Sequence, residues 1–362
     1  MKRGKASVLD RAWTRAQILK ITRELHATIG AAVRRELDRY IKNGDYESAM
    51  AVHGQGAGDI TYRIDAVADE AIYQFADRLG KIAPARILCE GPGEIVTGPN
   101  PSIRVLIDPI DGTRNVMADL RSAWVLTGFA EETSGQNLTI QDLKYSVQTE
   151  IPASGQIRYI ELSAWRGAGC KKREFTKKTE FTIHKPASSR PSAWAAPKNL
   201  RLQSGYYSFL RYLPLERAAI GILETNFFAR AEKLLKFEPD KIYDDQWLCA
   251  AGQLFLVSSG RMRMFADLRG WLAQKAGVKT VASHPYDLCS SLIATEAGSP
   301  VLAIDADLTF PPLDAPLDLE TNVSFVAFAN STIKNKILPI LRDTLELYGS
   351  EAADRLRRDS RC

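Results

Sequence analysis

The stretch Ile103-Arg104-Val105-Leu106-Ile107-Asp108-Pro109-Ile110-Asp111-Gly112-Thr113-Arg114-Asn115 decides how the rest of the chain is read. The apolar run Val105-Leu106-Ile107 stops at a carboxylate, the pattern of a buried strand that delivers a functional side chain to its rim. Pro109 stiffens the turn, and Asp111 follows three residues after Asp108. Two carboxylates this close repel unless a cation or a proton sits between them. A hard divalent ion such as Mg²⁺ takes oxygen ligands and commonly uses one or two carboxylates together with substrate phosphate. Gly112 lets backbone N–H groups turn towards an anion, and the Thr113 hydroxyl can orient a water. The combination points to metal-assisted phosphoryl chemistry. Asp-Pro-x-Asp-Gly is equally ordinary turn chemistry, so the remaining sequence has to separate the two readings.

Working outward, a chain of 362 residues can bury a large core and forms two domains or one composite unit. With 45% hydrophobic and 25% charged residues, its composition is that of a soluble globular protein. A net charge of +5 is too mild to argue for nucleic acid. Cys89, Cys170, Cys249, Cys289 and Cys362 are odd in number, scattered and never spaced C-x-x-C. That argues for reduced thiols and a cytoplasmic location over a disulfide or zinc framework. Lys2, Arg3 and Lys5 have no apolar segment behind them, so no signal peptide is read. No uninterrupted apolar run approaches a membrane span.

Ile18, Ile21, Leu25, Ile29, Val33, Leu37 and Ile41 fall at steps of three and four and predict one long amphipathic helix over residues 14–42. Gly54-Gln55-Gly56-Ala57-Gly58-Asp59 follows a helix and lacks a subsequent Lys-Ser/Thr, so it reads as a mobile turn or active-site flap, not a nucleotide loop. A second helix is predicted to 79, with Asp65 as a candidate N-cap. Ile87-Leu88-Cys89-Glu90 reads as a short strand ending in Glu90, so two successive strands end in an acid. Residues 122–130 predict a core strand, and 143–151 with 157–165 a hairpin. Lys171, Lys172, Arg173, Lys177 and Lys178 read as an exposed turn or solvated face. Residues 185–199, rich in Pro, Ser and Ala, mark the boundary between two halves.

In the second half, helices over 216–224, 245–259 and 287–298 alternate with strands at 263–267 and 323–329, which suggests an α/β layered unit. Asp267 ends one of those strands, and Asp287 opens a helix where an N-cap is the simpler role. A terminal helix over 333–348 is expected to kink or restart at Pro339, with fraying beyond 351.

Jointly these motifs resemble the inositol monophosphatase family, part of the lithium-sensitive, Mg-dependent sugar-phosphatase superfamily that includes fructose-1,6-bisphosphatase. The pieces occur in the family's order. They are Ile64-Asp65-Ala66-Val67-Ala68-Asp69, Glu90, the central Asp108 to Asn115 run, Gly260-Arg261, Asp267, and Pro285-Tyr286-Asp287 with its continuation to Glu296-Ala297-Gly298. The chain departs from the family at Gly91, commonly a second Glu, and at Tyr286, commonly Trp.

The resemblance implies an α/β (α+β) layered sandwich, the sugar-phosphatase fold of two packed sub-domains. Residues 1–190 would carry most metal ligands, 191–350 would supply Asp267 and Asp287, and 351–362 would form a frayed tail. It implies hydrolysis of a phosphate monoester of a polyol or sugar, with two or three Mg²⁺ ions per site. Glu90, Asp108 and the Ile110 carbonyl match ligands of a first ion; Asp108, Asp111 and Asp287 match those of a second. Asp111, Gly112 and Thr113 match substrate- and phosphate-binding positions. Thr113, held by Asp65, would orient the water with Glu90 as base, and Asp267 would contact a substrate hydroxyl. An exposed Asp267 would repel a second phosphate; a simple ion pair with Arg263 or Arg269 is the plainer reading of the same residue. The resemblance also implies a homodimer, while the apolar pattern and the mild charge leave neither membrane nor nucleic acid as an expected partner. Two alternatives stay open. One is a fructose-1,6-bisphosphatase or 3′-phosphoadenosine nucleotide phosphatase, which needs a second basic pocket, with Arg211 and Arg261 as candidates. The other is an RNA-binding regulatory protein that retains the fold.

Overall fold

A computed structural model of the chain describes residues 8–55, 60–133, 135–176, 190–278 and 280–359. Lys2, Arg3, Lys5, positions 56–59 of the glycine run, Lys177, Lys178, the first part of the 185–199 stretch and Cys362 lie outside the described residues.

Helix α1 (Ala12–Asn43) follows the predicted periodicity: Ile18, Ile21, Leu25, Ile29, Val33 and Leu37 are buried, and left-handed Gly44 ends it. A single turn α2 (Tyr46–Ala49) and a ribbon of β1 (Val52–Gln55) with β2 (Ile60–Tyr62) lead to α3 (Asp69–Gly80). The main sheet begins with β3 (Ala85–Cys89), β4 (Gly93–Val96) and β5 (Ile103–Asp111). After the short helix α4 (Thr113–Met117) come β6 (Ala123–Glu131), β7 (Leu143–Ile151), β8 (Arg158–Trp165), β9 (Cys170–Thr176) and β10 (Ser192–Trp194). Their order is β10-β9-β8-β7-β6-β5-β3-β4, antiparallel except where β3 runs parallel to β5. Lys171, Lys172 and Arg173 therefore sit in strand β9 and not in a turn; Lys172 lies over the Trp194 ring and Arg173 faces Glu161. Strand β10 forms one edge of this sheet through its pairing with β9, so residues 192–194 join the main sheet.

The second half supplies β11 (Gly205–Phe209), α5 (Arg217–Leu235), β12 (Ile242–Tyr243), α6 (Ala250–Ser258), β13 (Met262–Asp267), α7 (Arg269–Ala276), α8 (Ser291–Glu296), β14 (Val301–Ala303), β15 (Phe325–Phe328) and α9 (Ser331–Asp359). Its sheet has the order β12-β11-β13-β15-β14. Three cores bind the layers. Ile29, Phe75, Val105 and Phe129 join α1 and α3 to one face of the main sheet. Trp124, Leu126, Leu254, Phe255, Phe265 and Ile293 fill the space between the sheets, where α6 and α8 lie. Phe209, Phe227, Met264, Phe328 and Leu341 pack α5 and α9 on the outer face of the small sheet. Helices and sheets thus alternate as an α/β layered sandwich. A strand such as β5 is covered on both faces, which explains its nearly unbroken apolar run.

Two predicted helices are shorter than expected. The one at 245–259 starts only at Ala250, because Cys249 is extended and caps it. The one at 287–298 starts at Ser291, after consecutive turns. Helix α9, by contrast, runs unbroken through Pro339 and on to Asp359 instead of stopping near 348. Ile333, Ile337, Ile340, Leu341 and Leu345 form one buried stripe across the proline, and this packing outweighs the missing N–H. No helix among the described residues is long and apolar enough to cross a membrane.

Candidate active site

Along a regular strand, residues three apart point to opposite faces. Asp108 and Asp111 could not serve one site from a straight β5. The pairing with β6 resolves this: Asp108 stands opposite Leu126 and Asp111 opposite Trp124, three steps on one strand against two on the other. The extra residue is a β-bulge. It falls beside Pro109, which has no N–H to give to the ladder. Both carboxylates therefore emerge on the face of Trp124 and Leu126, towards the second half. The Ile110 N–H turns back to Asp108 Oδ1 at 2.9 Å. Gly112 follows at φ +99, and a Cβ there would lie 3.1 Å from Cys249 Cβ, so both conformation and space require glycine.

The neighbouring elements complete the ring of oxygens. Strand β3 is parallel to β5 with Cys89 opposite Ile107, which sets Glu90 abreast of Asp108. Asp65 is not a helix cap: its Oδ2 accepts the Tyr62 N–H at 2.7 Å and its Oδ1 accepts the Thr113 hydroxyl at 3.0 Å. The same hydroxyl lies 2.9 Å from the Ile110 carbonyl. Asp287 comes from the second half, where its Oδ2 accepts the His284 N–H at 2.7 Å within the turn. The start of α6 meets Asp111 directly, through Ala250 N–H at 3.1 Å and Ala251 N–H at 2.6 Å. Asn115 Nδ2 reaches the Leu248 carbonyl at 3.2 Å, and Trp247 Nε1 reaches Ser122 O at 3.0 Å. Asp65, Glu90, Asp108, Ile110, Asp111, Gly112, Thr113 and Asp287 line one cavity of about 80 Å³.

Burial and mutual repulsion dominate its electrostatics. Burial, then the charges of Glu90, Asp111 and Asp287, push the Asp108 carboxyl well above the usual range. Burial raises Asp111 to about 6 despite the hydrogen bonds from the α6 start. Burial and the Asp111 charge raise Asp287 to about 7. Carboxylates, a carbonyl and a hydroxyl around one cavity form the donor set that a hard divalent cation uses, and a cation there would relieve the repulsion. Among the described residues no three Asp, Glu, His or Cys side chains already stand so as to hold a metal ion. Asp111 and Asp287 are instead turned onto backbone amides.

Asp267 does not fit the role expected from sequence. It is fully buried and is not among the residues lining the cavity. Arg269 grips it through Nε at 2.8 Å and Nη2 at 2.7 Å, and the Ser283 hydroxyl adds a third bond at 2.8 Å. The plainer ion-pair reading holds, with Arg269 as the partner; Arg263 instead donates to backbone carbonyls. The basic pocket sought in Arg211 and Arg261 does not form either. Arg211 pairs with Glu224 and Asp244, Arg261 lies over Phe255, and neither lines the cavity. The lining cations are Arg114 and Arg269, both near the Tyr212 ring at 4.6 and 4.8 Å from its centroid. Sequence gives Arg114 only as part of the central motif and Arg269 only as a partner for Asp267, and it assigns no cavity role to Tyr212, Cys249, Ala250 or His284. The signal for the α6 start is the run of small residues Cys249-Ala250-Ala251-Gly252, which permits close approach of two backbones.

The layer order and the bulged Asp-Pro-Ile-Asp strand facing a second sheet define the sugar-phosphatase fold. No family model matches the chain, and no curated protein matches it by sequence. Solved structures do match. The extragenic suppressor protein suhB from Bartonella henselae aligns at 17% identity with a TM-score of 0.58, over 90% of this chain and 98% of that one. A Leishmania major fructose-1,6-bisphosphatase in holo form aligns at 13% identity and TM-score 0.60, over 91% and 94%. An inositol monophosphatase from Anabaena (Nostoc) aligns at 15% identity and TM-score 0.53, over 92% and 96%. At such identities the likeness establishes the fold, and the chemistry has to be argued from the site.

Proposed function

We propose that the chain is a Mg²⁺-dependent phosphatase that hydrolyses a phosphate monoester of a small polyol or sugar. One observation carries this reading. The bulge in β5 brings Asp108 and Asp111 to one face, where they share a single cavity with Glu90, Asp287 and a Thr113 hydroxyl held by Asp65.

In this reading Glu90, Asp108, Asp111, Asp287 and the Ile110 carbonyl hold two or three ions. Mg²⁺ bound there would supply the Lewis acidity that makes a water nucleophilic near neutral pH and offsets the charge of the phosphoryl group. The chain's own groups position the reactants. With its proton donated to Asp65, the Thr113 hydroxyl keeps lone pairs that can accept a hydrogen bond from the attacking water and so orient it. Glu90, abreast of Asp108, takes up the proton that this water releases. Gly112 and Thr113 offer the N–H groups at the start of α4 to the phosphoryl oxygens.

The carboxylates and the Thr113 hydroxyl in the lining place the phosphoryl end of a substrate in the cavity, with the alcohol towards its mouth. The preference for a monophosphate, drawn from an exposed Asp267, loses that support, since Arg269 neutralises the buried carboxylate. Arg114 in the lining, the Arg269 charge being committed to Asp267, keeps a bisphosphate as the second reading. A pure RNA-binding role is disfavoured because it gives no use to four clustered carboxylates. The four described cysteines are free and buried, which fits a reducing compartment, and we assign the enzyme to the cytoplasm. A homodimer is proposed on the motif resemblance, and sedimentation would check it.

The test is Mg²⁺-dependent phosphate release from inositol-1-phosphate, glycerol phosphate, fructose-1,6-bisphosphate and 3′-phosphoadenosine-5′-phosphate. A monophosphate should give the best kcat/KM. A bisphosphate winning would move the substrate assignment, and no release from any ester would overturn the function.

A further inference from the structure

Helix α6 meets the central motif with more than its backbone. Asp111 Oδ1 accepts from Ala250 N–H and Oδ2 from Ala251 N–H, while Cys249 Sγ lies 3.2 Å from that same Oδ2. The sulfur is also the helix cap, accepting the Gly252 N–H at 3.2 Å. A thiol has one proton to give and lone pairs to receive, so Cys249 can donate to Asp111 and accept from Gly252 together. The surroundings leave it little freedom. A Cβ on Gly112 would meet Cys249 Cβ at 3.1 Å, and a Cβ on Gly252 would meet the Trp247 ring at 2.6 Å. Trp247 and Leu248 are themselves tied to Ser122 and Asn115 of the first half. A buried cysteine is ordinarily a small hydrophobe. This one, 5% exposed, has its sulfur between a carboxylate and an amide.

We infer that the Cys249 thiol is a positioning residue: it fixes the side-chain orientation of Asp111 and so presents that carboxylate to the cavity shared with Glu90, Asp108 and Asp287. This deepens the proposed function and rests on its reading of Asp111 as a metal ligand. The two backbone donors to Asp111 survive any substitution at 249, so the thiol is the part of the grip that mutation can remove. Serine keeps both the donor and the cap acceptor; alanine keeps neither.

The full chain is titrated with Mg²⁺ alone, without substrate, and followed by tryptophan fluorescence. Trp247 stands two residues from Cys249, with its ring centroid 6.0 Å from that of Trp124. Cys249→Ala should bind Mg²⁺ about tenfold more weakly than wild type, the scale of one hydrogen bond to a charged group, and Cys249→Ser should restore binding to within about twofold. In turnover assays the half-saturating Mg²⁺ concentration should move by the same factor. Unchanged affinity in Cys249→Ala, or a Cys249→Ser that behaves like the alanine variant, overturns the inference and leaves the phosphatase reading standing. A wild-type chain that neither responds to Mg²⁺ nor releases phosphate overturns both. If Cys249→Ala does not fold, infrared difference spectra of wild type, Cys249→Ser and Asp111→Asn decide. The S–H band missing from Cys249→Ser should shift in Asp111→Asn, and a band that stays put overturns the inference.

Discussion

Asp108 is buried among three other acids, and its carboxyl is held far above its ordinary value. Replacing it with the isosteric amide removes like charge without removing volume. Asp108→Asn should therefore raise the melting temperature of the metal-free protein at neutral pH while abolishing Mg²⁺-dependent turnover. Calorimetry and phosphate release check the two halves. The pH dependence follows from the same cluster. Asp111 at about 6 and Asp287 at about 7 bind protons more tightly in the folded protein than in the unfolded chain. Their contribution to stability is fully present below about pH 4 and is lost as pH rises through those values. His26, buried and lowered to about 3, acts in the opposite sense over part of that range, so the effect is read as a difference. The melting-temperature gain from saturating Mg²⁺ should be larger at pH 8 than at pH 5, and equal gains would contradict the repulsive cluster. Thr113 answers a separate question. Thr113→Ala should lower turnover by about a hundredfold or more while leaving Mg²⁺ affinity nearly unchanged. Fluorescence titration alongside kinetics distinguishes that from a lost ligand.

At the level of elements, the bulge in β5 does what a regular strand cannot, and sequence only half discloses it. The abrupt end of Val105-Leu106-Ile107 at Asp108 and the Pro109 beside it were legible, as were Glu90 at the end of β3 and the Asp65–Thr113 pairing implied by the motif resemblance. The one-residue offset that puts Asp108 and Asp111 on the same face depends on pairing with β6, a non-local fact. Helix α6 was misplaced for a related reason. Residues 245–249 have helical spacing, but the α6 amides are committed to Asp111, far away in sequence, and the helix starts where that contact requires. Asp267 is not legible in the same way, because a strand-end acid looks alike in sequence whether it faces solvent or a buried arginine. Its burial now gives a different expectation. Asp267→Ala strands Arg269 without its counter-charge and should cost about 3–5 kcal/mol of stability by denaturant unfolding. A substrate contact would instead change kcat/KM and leave stability alone.

Across the whole molecule, the cavity is lined by residues from both the main-sheet and the small-sheet parts of the chain. Glu90, Asp108, Asp111 and Thr113 come from the main sheet and its turns, Asp287 from a turn before α8, and the α6 start docks onto the central motif. The layer order was legible because long periodic helices and doubly buried strands leave strong patterns, and the second half's alternation matched an α/β unit. The edge of the main sheet was not, since β10 lies within the Pro-, Ser- and Ala-rich stretch that reads as a boundary. The central claim is that this shared cavity is a metal-dependent phosphatase centre. The most direct test is phosphate release from a small phosphate monoester by wild type and Asp108→Asn, each with Mg²⁺ and with chelator. Release should come only from wild type with Mg²⁺. Release that persists in chelator, or that Asp108→Asn retains at saturating Mg²⁺, would contradict it.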